Sequence, residues 1–90
     1  MKAAHIFISG FVQGIGFRQW IKDKAINLGL SGWVRNCSDG RVEAVFAGDR
    51  EKTKEIIFLC RKGPFLAEVK GMDVGWEEIK EKLETFEIVV

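Results

Sequence analysis

The chain has 90 residues, with 14 Lys and Arg against 13 Asp and Glu, a net charge of +1 and a hydrophobic content of 47%. That length suits one small domain, and the composition is ordinary for a globular protein. A charge near zero argues against a polybasic surface for nucleic acid or anionic lipid, so any anion site must be local. We predict a single domain over residues 1–90.

Targeting and redox features are few. No apolar run is long enough to span a bilayer, and the first residues show no signal-peptide apolar segment. The two cysteines, Cys37 and Cys60, lack metal-type spacing, and we predict that both are free thiols. These features predict a cytoplasmic protein.

The first predicted elements are a strand and a helix. Residues 3–9 alternate, with Ile6 and Ile8 on one face, which predicts a strand. From Phe17 onward, apolar residues recur at i, i+4, i+8 and i+11, which predicts a helix that ends near Gly29.

A hairpin and a second helix follow. Residues 31–37 and 41–47 read as strands, and the Ser-Asp-Gly turn between them predicts a tight antiparallel hairpin. Asp49 is a good N-cap for the next helix, and Gly63 followed by Pro64 ends it.

The last third of the chain predicts a fourth strand between residues 67 and 77, a turn or short helix over 77–84, and a final strand over 85–90. The order β-α-β-β-α-β with a terminal strand predicts an α+β, ferredoxin-like sandwich. In this fold both helices lie on one face of a mostly antiparallel sheet. Many unrelated functions use this layout, so function must be argued from a site.

The stretch from Gly10 to Arg18 reads Gly-Phe-Val-Gln-Gly-Ile-Gly-Phe-Arg and joins the first strand to the first helix. A glycine-rich turn at a helix start aims free N–H groups at one point, where the helix dipole favours an anion. It matches neither a Walker A loop nor the GxGxxG pattern, and its glycines alone would favour a structural turn. Arg18 in the first helical turn favours an anion cradle instead.

Asn36 lies near the end of the second predicted strand, just before the turn. Asparagine at such a position often forms the turn by capping backbone groups. Its amide could also position a water molecule. The residues alone leave both interpretations open.

Two other groups of residues suggest less. His5 has no second metal ligand nearby in the sequence, so we predict a histidine on the strand surface. The three tryptophans, Trp20, Trp33 and Trp76, and the seven phenylalanines are predicted to pack in the core and on the sheet, because no basic string accompanies them for RNA binding.

The stretch from Gly10 to Arg18 resembles the first signature of the acylphosphatases, and Gly-Trp-Val-Arg-Asn at residues 32–36 resembles the second. The resemblance covers nearly the whole chain. Ile15 stands where the family usually has valine, a change of one methylene. Further similar positions are Gly40, Val42, Gly48, residues 62–64 and residues 86–88.

This resemblance implies an acylphosphatase, which hydrolyses the carboxyl–phosphate bond of small-molecule acyl phosphates to a carboxylate and inorganic phosphate without a metal or other cofactor. It implies Arg18 and Asn36 as catalytic residues, with Asn36 orienting the attacking water. We expect a monomer with no nucleic-acid or membrane partner. The phosphate-binding residues implied by the resemblance are Gln13, Gly14, Ile15, Gly16, Phe17 and Arg18.

Two alternatives stay open. The first is a non-catalytic ferredoxin-like module that binds an anionic ligand or partner, although simple anion binding would not require Asn36. The second is an acylphosphatase-like domain of a larger maturation enzyme, for which a chain of 90 residues is short. We expect a free-standing enzyme.

Overall fold

A computed structural model describes all residues 1–90 as one five-stranded sheet and two helices. The sheet has the order β4-β1-β3-β2-β5, and its neighbours are antiparallel except for the parallel pair of β2 and β5. The elements are β1 Lys2–Phe11, α1 Phe17–Asn27, β2 Ser31–Asn36, β3 Val42–Ala47, α2 Arg50–Lys62, β4 Glu68–Glu78 and β5 Phe86–Ile88.

Both helices pack on one face of the sheet, as predicted. In β1, Ile6 and Ile8 are completely buried beneath the helices, whereas His5 and Phe7 lie on the opposite face and stay partly exposed. This alternation follows from the two-residue period of a strand, which sends every second side chain to the core. We call the face away from the helices the outer face.

The helices confirm the apolar periods read from the sequence. The stripe of α1 buries Phe17, Ile21 and Ala25, and that of α2 buries Thr53, Ile56, Ile57 and Cys60. The Asp49 carboxylate accepts a hydrogen bond from the backbone N–H of Lys52 at 3.1 Å, which satisfies a free donor at the start of α2.

Three details differ from the sequence prediction. Residues 79–85 form an irregular connection with bends and no helix, and residues 77 and 78, predicted to belong to this segment, still lie in β4. β1 continues to Phe11 through a bulge at Ser9 and Gly10. A Cβ atom on Gly10 would lie 2.1 Å from the carbonyl oxygen of Glu68, so this glycine serves close strand packing rather than the anion cradle.

The aromatic residues are only partly in the core. Phe17, Phe46 and Phe86 are buried, but Trp76 is 42% exposed and Phe65 is fully exposed. The prediction of core and sheet packing is therefore wrong for Phe65, which lies outside the strands and helices, whereas Trp76 lies in β4 with the Arg50 guanidinium 5.2 Å from its ring centroid. Neither helix has the length and apolar character needed to cross a membrane.

Candidate active site

A cavity of about 250 Å³ lies where β1 leads into α1 and where β2 ends. It brings together the two stretches singled out in the sequence, because Arg18 and Asn36 both line it. The lining residues are Val12, Gly14, Gly16, Phe17, Arg18, Gln19, Asn36 and Ile88.

Two glycines shape the loop beside this cavity. Gly14 and Gly16 have φ angles of 78° and 79°, in the left-handed region that side chains with a Cβ atom rarely adopt. A Cβ atom on either residue would meet nothing within 4 Å. Glycine is therefore needed here for the backbone conformation and not for lack of space.

The backbone N–H groups of residues 14–19 have no hydrogen-bond partner within the protein. Gly16 is the N-cap of α1 without a side-chain cap, and the first turn contains no acidic residue. The first bond of the helix runs from the Trp20 N–H to the Gly16 carbonyl at 3.0 Å. Free N–H groups at a helix start, with no carboxylate to neutralise them, favour binding of an anion.

The guanidinium of Arg18 adds a full positive charge to this cavity. Arg18 is half-buried, and no carboxylate lies within 4.0 Å of it. The two arginines of the hairpin differ, since Arg35 pairs with Glu43 and Arg41 with Asp39. Arg18 is thus an unpaired cation suited to a planar, bidentate contact with an oxyanion.

Asn36 presents a hydrogen-bond acceptor that the protein leaves unused. Its Oδ1 atom is buried and has no partner. The turn-forming interpretation is wrong, because Asn36 pairs with Val42 inside the β2–β3 ladder. Asp39 forms the turn instead, accepting from the Arg41 N–H at 3.1 Å. A buried acceptor without a partner costs free energy, so its natural complement is a donor such as water.

Not every predicted phosphate-binding residue faces the cavity. Gln13 and Ile15 do not line it. The Gln13 side chain instead donates to the backbone carbonyls of Cys37 and Arg41, and Ile15 packs against the core.

Sequence reasoning missed three lining residues. Gln19 could have been predicted, because it directly follows Arg18 in the first turn of α1. Val12 is completely buried and forms the floor on the side of β1. Ile88 reaches the cavity only because β5 lies parallel to β2, a pairing that no local signal in the sequence indicates.

The outer face of the same hairpin carries a second polar group of residues, the outer-face cluster of His5, Arg35, Glu43 and Glu77. Glu43 Oε2 lies 2.6 Å from His5 Nε2, and Glu43 Oε1 accepts from Arg35 Nε at 2.6 Å. His5 Nδ1 is 3.3 Å from Glu77 Oε1. Burial of Glu43 disfavours its charge, but the hydrogen bonds to His5 and Arg35 prevail and hold its pKa below the ordinary value. The polar groups of the outer-face cluster therefore find their hydrogen-bond and charge partners within the cluster.

Other places in the molecule offer less chemistry. No group of three or more His, Cys, Asp and Glu side chains is arranged to hold a metal ion. The largest depression, about 600 Å³, lies between α1 and residues 83–87. Its only cation, Lys22, is 3.9 Å from the Glu87 carboxylate, and it contains no buried polar atom without a partner.

Comparison with known proteins agrees with this geometry and confirms the resemblance seen in the sequence. A family model described as Acylphosphatase matches residues 4–88. The acylphosphatase of Chloroflexus aurantiacus is 50% identical over 86 residues, which cover 96% of this chain and 94% of that relative. The crystal structure of acylphosphatase from Bacillus subtilis matches with a TM-score of 0.95 at 31% identity and covers 100% of both chains.

A larger protein also contains a similar unit. The crystal structure of full-length HypF in the phosphate- and nucleotide-bound form matches with a TM-score of 0.90 at 31% identity. That match covers 99% of this chain but only 12% of the HypF chain.

Proposed function

This chain belongs to the acylphosphatase family and has that family's enzymatic function, and we propose that it hydrolyses the carboxyl–phosphate bond of small-molecule acyl phosphates without a metal ion. One observation carries the proposal. Three groups that lack partners in the protein meet at one cavity, namely the Arg18 guanidinium, the amides that begin α1, and the side-chain amide of Asn36, whose Oδ1 is buried.

Arg18 and the loop amides bind the phosphoryl group. A phosphoryl group in transfer spreads its charge over three equatorial oxygens, and N–H groups from several directions can meet that charge. Gly14 and Gly16, in left-handed conformations, line the same cavity as Arg18, and successive N–H groups in such turns form anion-binding concavities. The positive charge that the reaction requires is therefore supplied by the chain itself.

Asn36 orients the attacking water. Its Oδ1 accepts a hydrogen bond from the water, which leaves a lone pair of the water oxygen free to face the phosphorus. The new P–O bond forms as the bond to the acyl oxygen breaks, and the carboxylate leaves with the electron pair. An asparagine cannot take the proton, so the proton passes to a substrate oxygen or to solvent. Carboxylate is a good leaving group, so positioning and charge stabilisation suffice.

The same acceptor argues for catalysis over simple anion binding. The oxygens of an ionised phosphoryl group are acceptors, and the Asn36 Oδ1 is an acceptor too. A bound anion could use the N–H donors of Asn36, but it would leave this buried oxygen without a partner in the cavity that Arg18 also lines. A water molecule that donates a hydrogen bond to Asn36 Oδ1 and attacks the substrate would satisfy this acceptor.

We further propose that the enzyme works as a cytoplasmic monomer that releases inorganic phosphate. Both cysteines are free, the state that a reducing compartment maintains. The cavity residues come from one chain, so the site requires no second copy. The net charge of +1 offers no general attraction for nucleic acid.

Release of inorganic phosphate from acetyl phosphate, with and without EDTA, tests this function. We expect turnover at the same rate in both conditions. Absence of turnover above the spontaneous rate would contradict the enzymatic proposal. A rate that EDTA abolishes and a divalent cation restores would contradict the metal-free part alone.

A further inference from the structure

The side chain of Gln13 points away from the cavity and toward the β2–β3 hairpin. Its Nε2 donates to the carbonyl of Cys37 at 2.8 Å and to that of Arg41 at 2.9 Å, and both bonds are partly buried. A carboxamide NH₂ has two N–H donors, so the protein uses both. Gln13 therefore has no side-chain donor left for a bound phosphoryl group.

The two accepting carbonyls lie beside Asn36 in the hairpin, one just after the end of β2 and the other just before the start of β3. Cys37 directly follows Asn36, and Arg41 directly precedes Val42, which pairs with Asn36 across the ladder. The Cys37 N–H also donates to the Arg41 carbonyl at 2.8 Å. One glutamine side chain thus bridges the two sides of the hairpin directly beside Asn36.

We infer that Gln13 is a positioning residue that holds the anion cradle in register with Asn36. Gln13 directly precedes Gly14 of the cradle, and no other hydrogen bond joins residues 12–19 to the hairpin. The inference rests on the proposed function, in which one segment binds the phosphoryl group and another holds the water. In-line attack requires both segments in a fixed relation, and a displacement of about 1 Å can lower the rate by roughly a hundredfold.

A positioning role predicts that Gln13 affects the rate of the chemical step but not the binding of phosphate. The cradle amides and Arg18 lie in one continuous segment at the start of α1, so they can bind phosphate without the hairpin. Loss of the Gln13 bridge should therefore lower kcat and leave the affinity for inorganic phosphate nearly intact. A glutamine that bound phosphate directly would change both together.

The first test replaces Gln13 with methionine, which has similar length and no donor. We expect kcat for acetyl phosphate to fall by roughly 30- to 100-fold, while competitive inhibition by inorganic phosphate changes by less than about threefold. Ser31→Ala is the matched control, because the Ser31 hydroxyl donates to the Ala47 carbonyl at 3.3 Å at the opposite end of the same two strands. We expect that variant to keep kcat within about threefold of the parent enzyme.

The second test asks whether Gln13 acts through Asn36. In an Asn36→Ala background the register of the hairpin no longer matters, so adding Gln13→Met should lower kcat by less than about threefold more. If Gln13 simply supports the fold of the cradle, the two losses will multiply. That result would overturn the inference.

A third variant, Gln13→Glu, tests the same bridge and replaces Gln13→Met if that variant does not fold. A carboxylate cannot donate to the Cys37 and Arg41 carbonyls, whereas a protonated carboxyl can donate to one of them. We expect kcat of this variant, relative to the parent, to rise as the pH falls through the pKa of the new carboxyl.

Two further results would overturn the inference while the proposed function stands. One is an unchanged kcat in Gln13→Met, and the other is a loss of phosphate affinity in parallel with kcat. Absence of turnover in the unsubstituted enzyme would instead mark failure of the proposed function, and it would be seen before any Gln13 variant is made.

Discussion

The β2–β3 hairpin carries polar groups on both faces, and the two faces treat them in opposite ways. On the outer face, the buried Glu43 carboxylate has His5 on one oxygen and Arg35 on the other. On the helix face, the Asn36 Oδ1 is buried without a partner and Arg18 has no carboxylate nearby.

We interpret the difference as one between groups that stabilise the fold and groups that we propose to bind the substrate and the attacking water. A buried charge is tolerable when opposite charges and hydrogen bonds offset its desolvation, which the outer-face cluster achieves by itself. The unpaired groups of the cavity cost stability in the free protein. A phosphoryl group and a water molecule would complete them, so substitutions on the two faces should have opposite consequences.

The largest effect is expected for Arg18→Gln on the cavity side. We predict that kcat/KM falls by about a thousandfold and that inorganic phosphate inhibits far more weakly, because a charge-assisted contact with the phosphoryl oxygens is lost. Steady-state kinetics with acetyl phosphate measure both. The matched control is Arg41→Gln, whose guanidinium pairs with Asp39 and should leave phosphate inhibition unchanged. Normal phosphate inhibition in Arg18→Gln would contradict the assignment.

On the outer face, Glu43→Leu should lower stability and spare catalysis. We predict a loss of about 1–2 kcal/mol in the free energy of unfolding, since the hydrogen bonds to a charged group disappear while water replaces part of them at His5 and Arg35. Urea denaturation measures the loss, and kcat should stay within about threefold. Glu51→Leu, at an exposed carboxylate 3.7 Å from Lys54, is the control with little effect. Lower kcat at unchanged stability would break the contrast between the faces.

Much of the fold and half of the site could be predicted from the sequence, because those features have local causes. The period of α2, the Asp49 cap and the Gly63 stop depend on neighbours in the chain. Arg18 was recognisable because it follows the glycine turn within one helical turn. The local pattern also indicated the hairpin that presents Asn36.

The remaining features depend on contacts between distant segments. The bridge from Gln13 to the hairpin requires a particular register between the loop and β2, which no pattern in the sequence reveals. The same holds for Ile88, which needs the parallel pairing of β5 with β2. The Arg35–Glu43 pair could have been predicted in part, since the predicted tight turn places these two residues opposite each other in the hairpin.

Protonation of Glu43 in acid should lower the free energy of unfolding. The pKa of Glu43 is lowered in the folded protein from 4.5, so the unfolded chain takes up the proton first as the pH falls. The stabilisation is therefore complete above about pH 4.5 and is lost as the pH falls through the lower folded pKa. As the pH is lowered through this range, the urea midpoint of unfolding should fall less steeply in Glu43→Gln than in the parent. Equal slopes would contradict the role of Glu43, and a residual slope is expected because the pKa of Asp39 and of Glu78 is lowered too.

The smallest effect concerns the thiols. Burial raises the pKa of Cys60 to about 12, and burial together with the Glu43 charge raises the pKa of Cys37. We predict that a thiol reagent near pH 8 reacts slowly with Cys37 alone in the folded protein and with both cysteines in denaturant. Rapid reaction of both thiols in the native protein would show that the core around Cys60 opens readily.

The central claim is that the unpartnered groups of the cavity divide the work, with Arg18 and the amides binding the phosphoryl group and Asn36 placing the water. The most direct measurement compares kcat with the dissociation constant of inorganic phosphate in Asn36→Ala. The account predicts a fall in kcat of about 10²–10³-fold with a phosphate dissociation constant within about threefold of the parent. Full activity in Asn36→Ala, or a loss of phosphate binding as large as the loss of kcat, would contradict it.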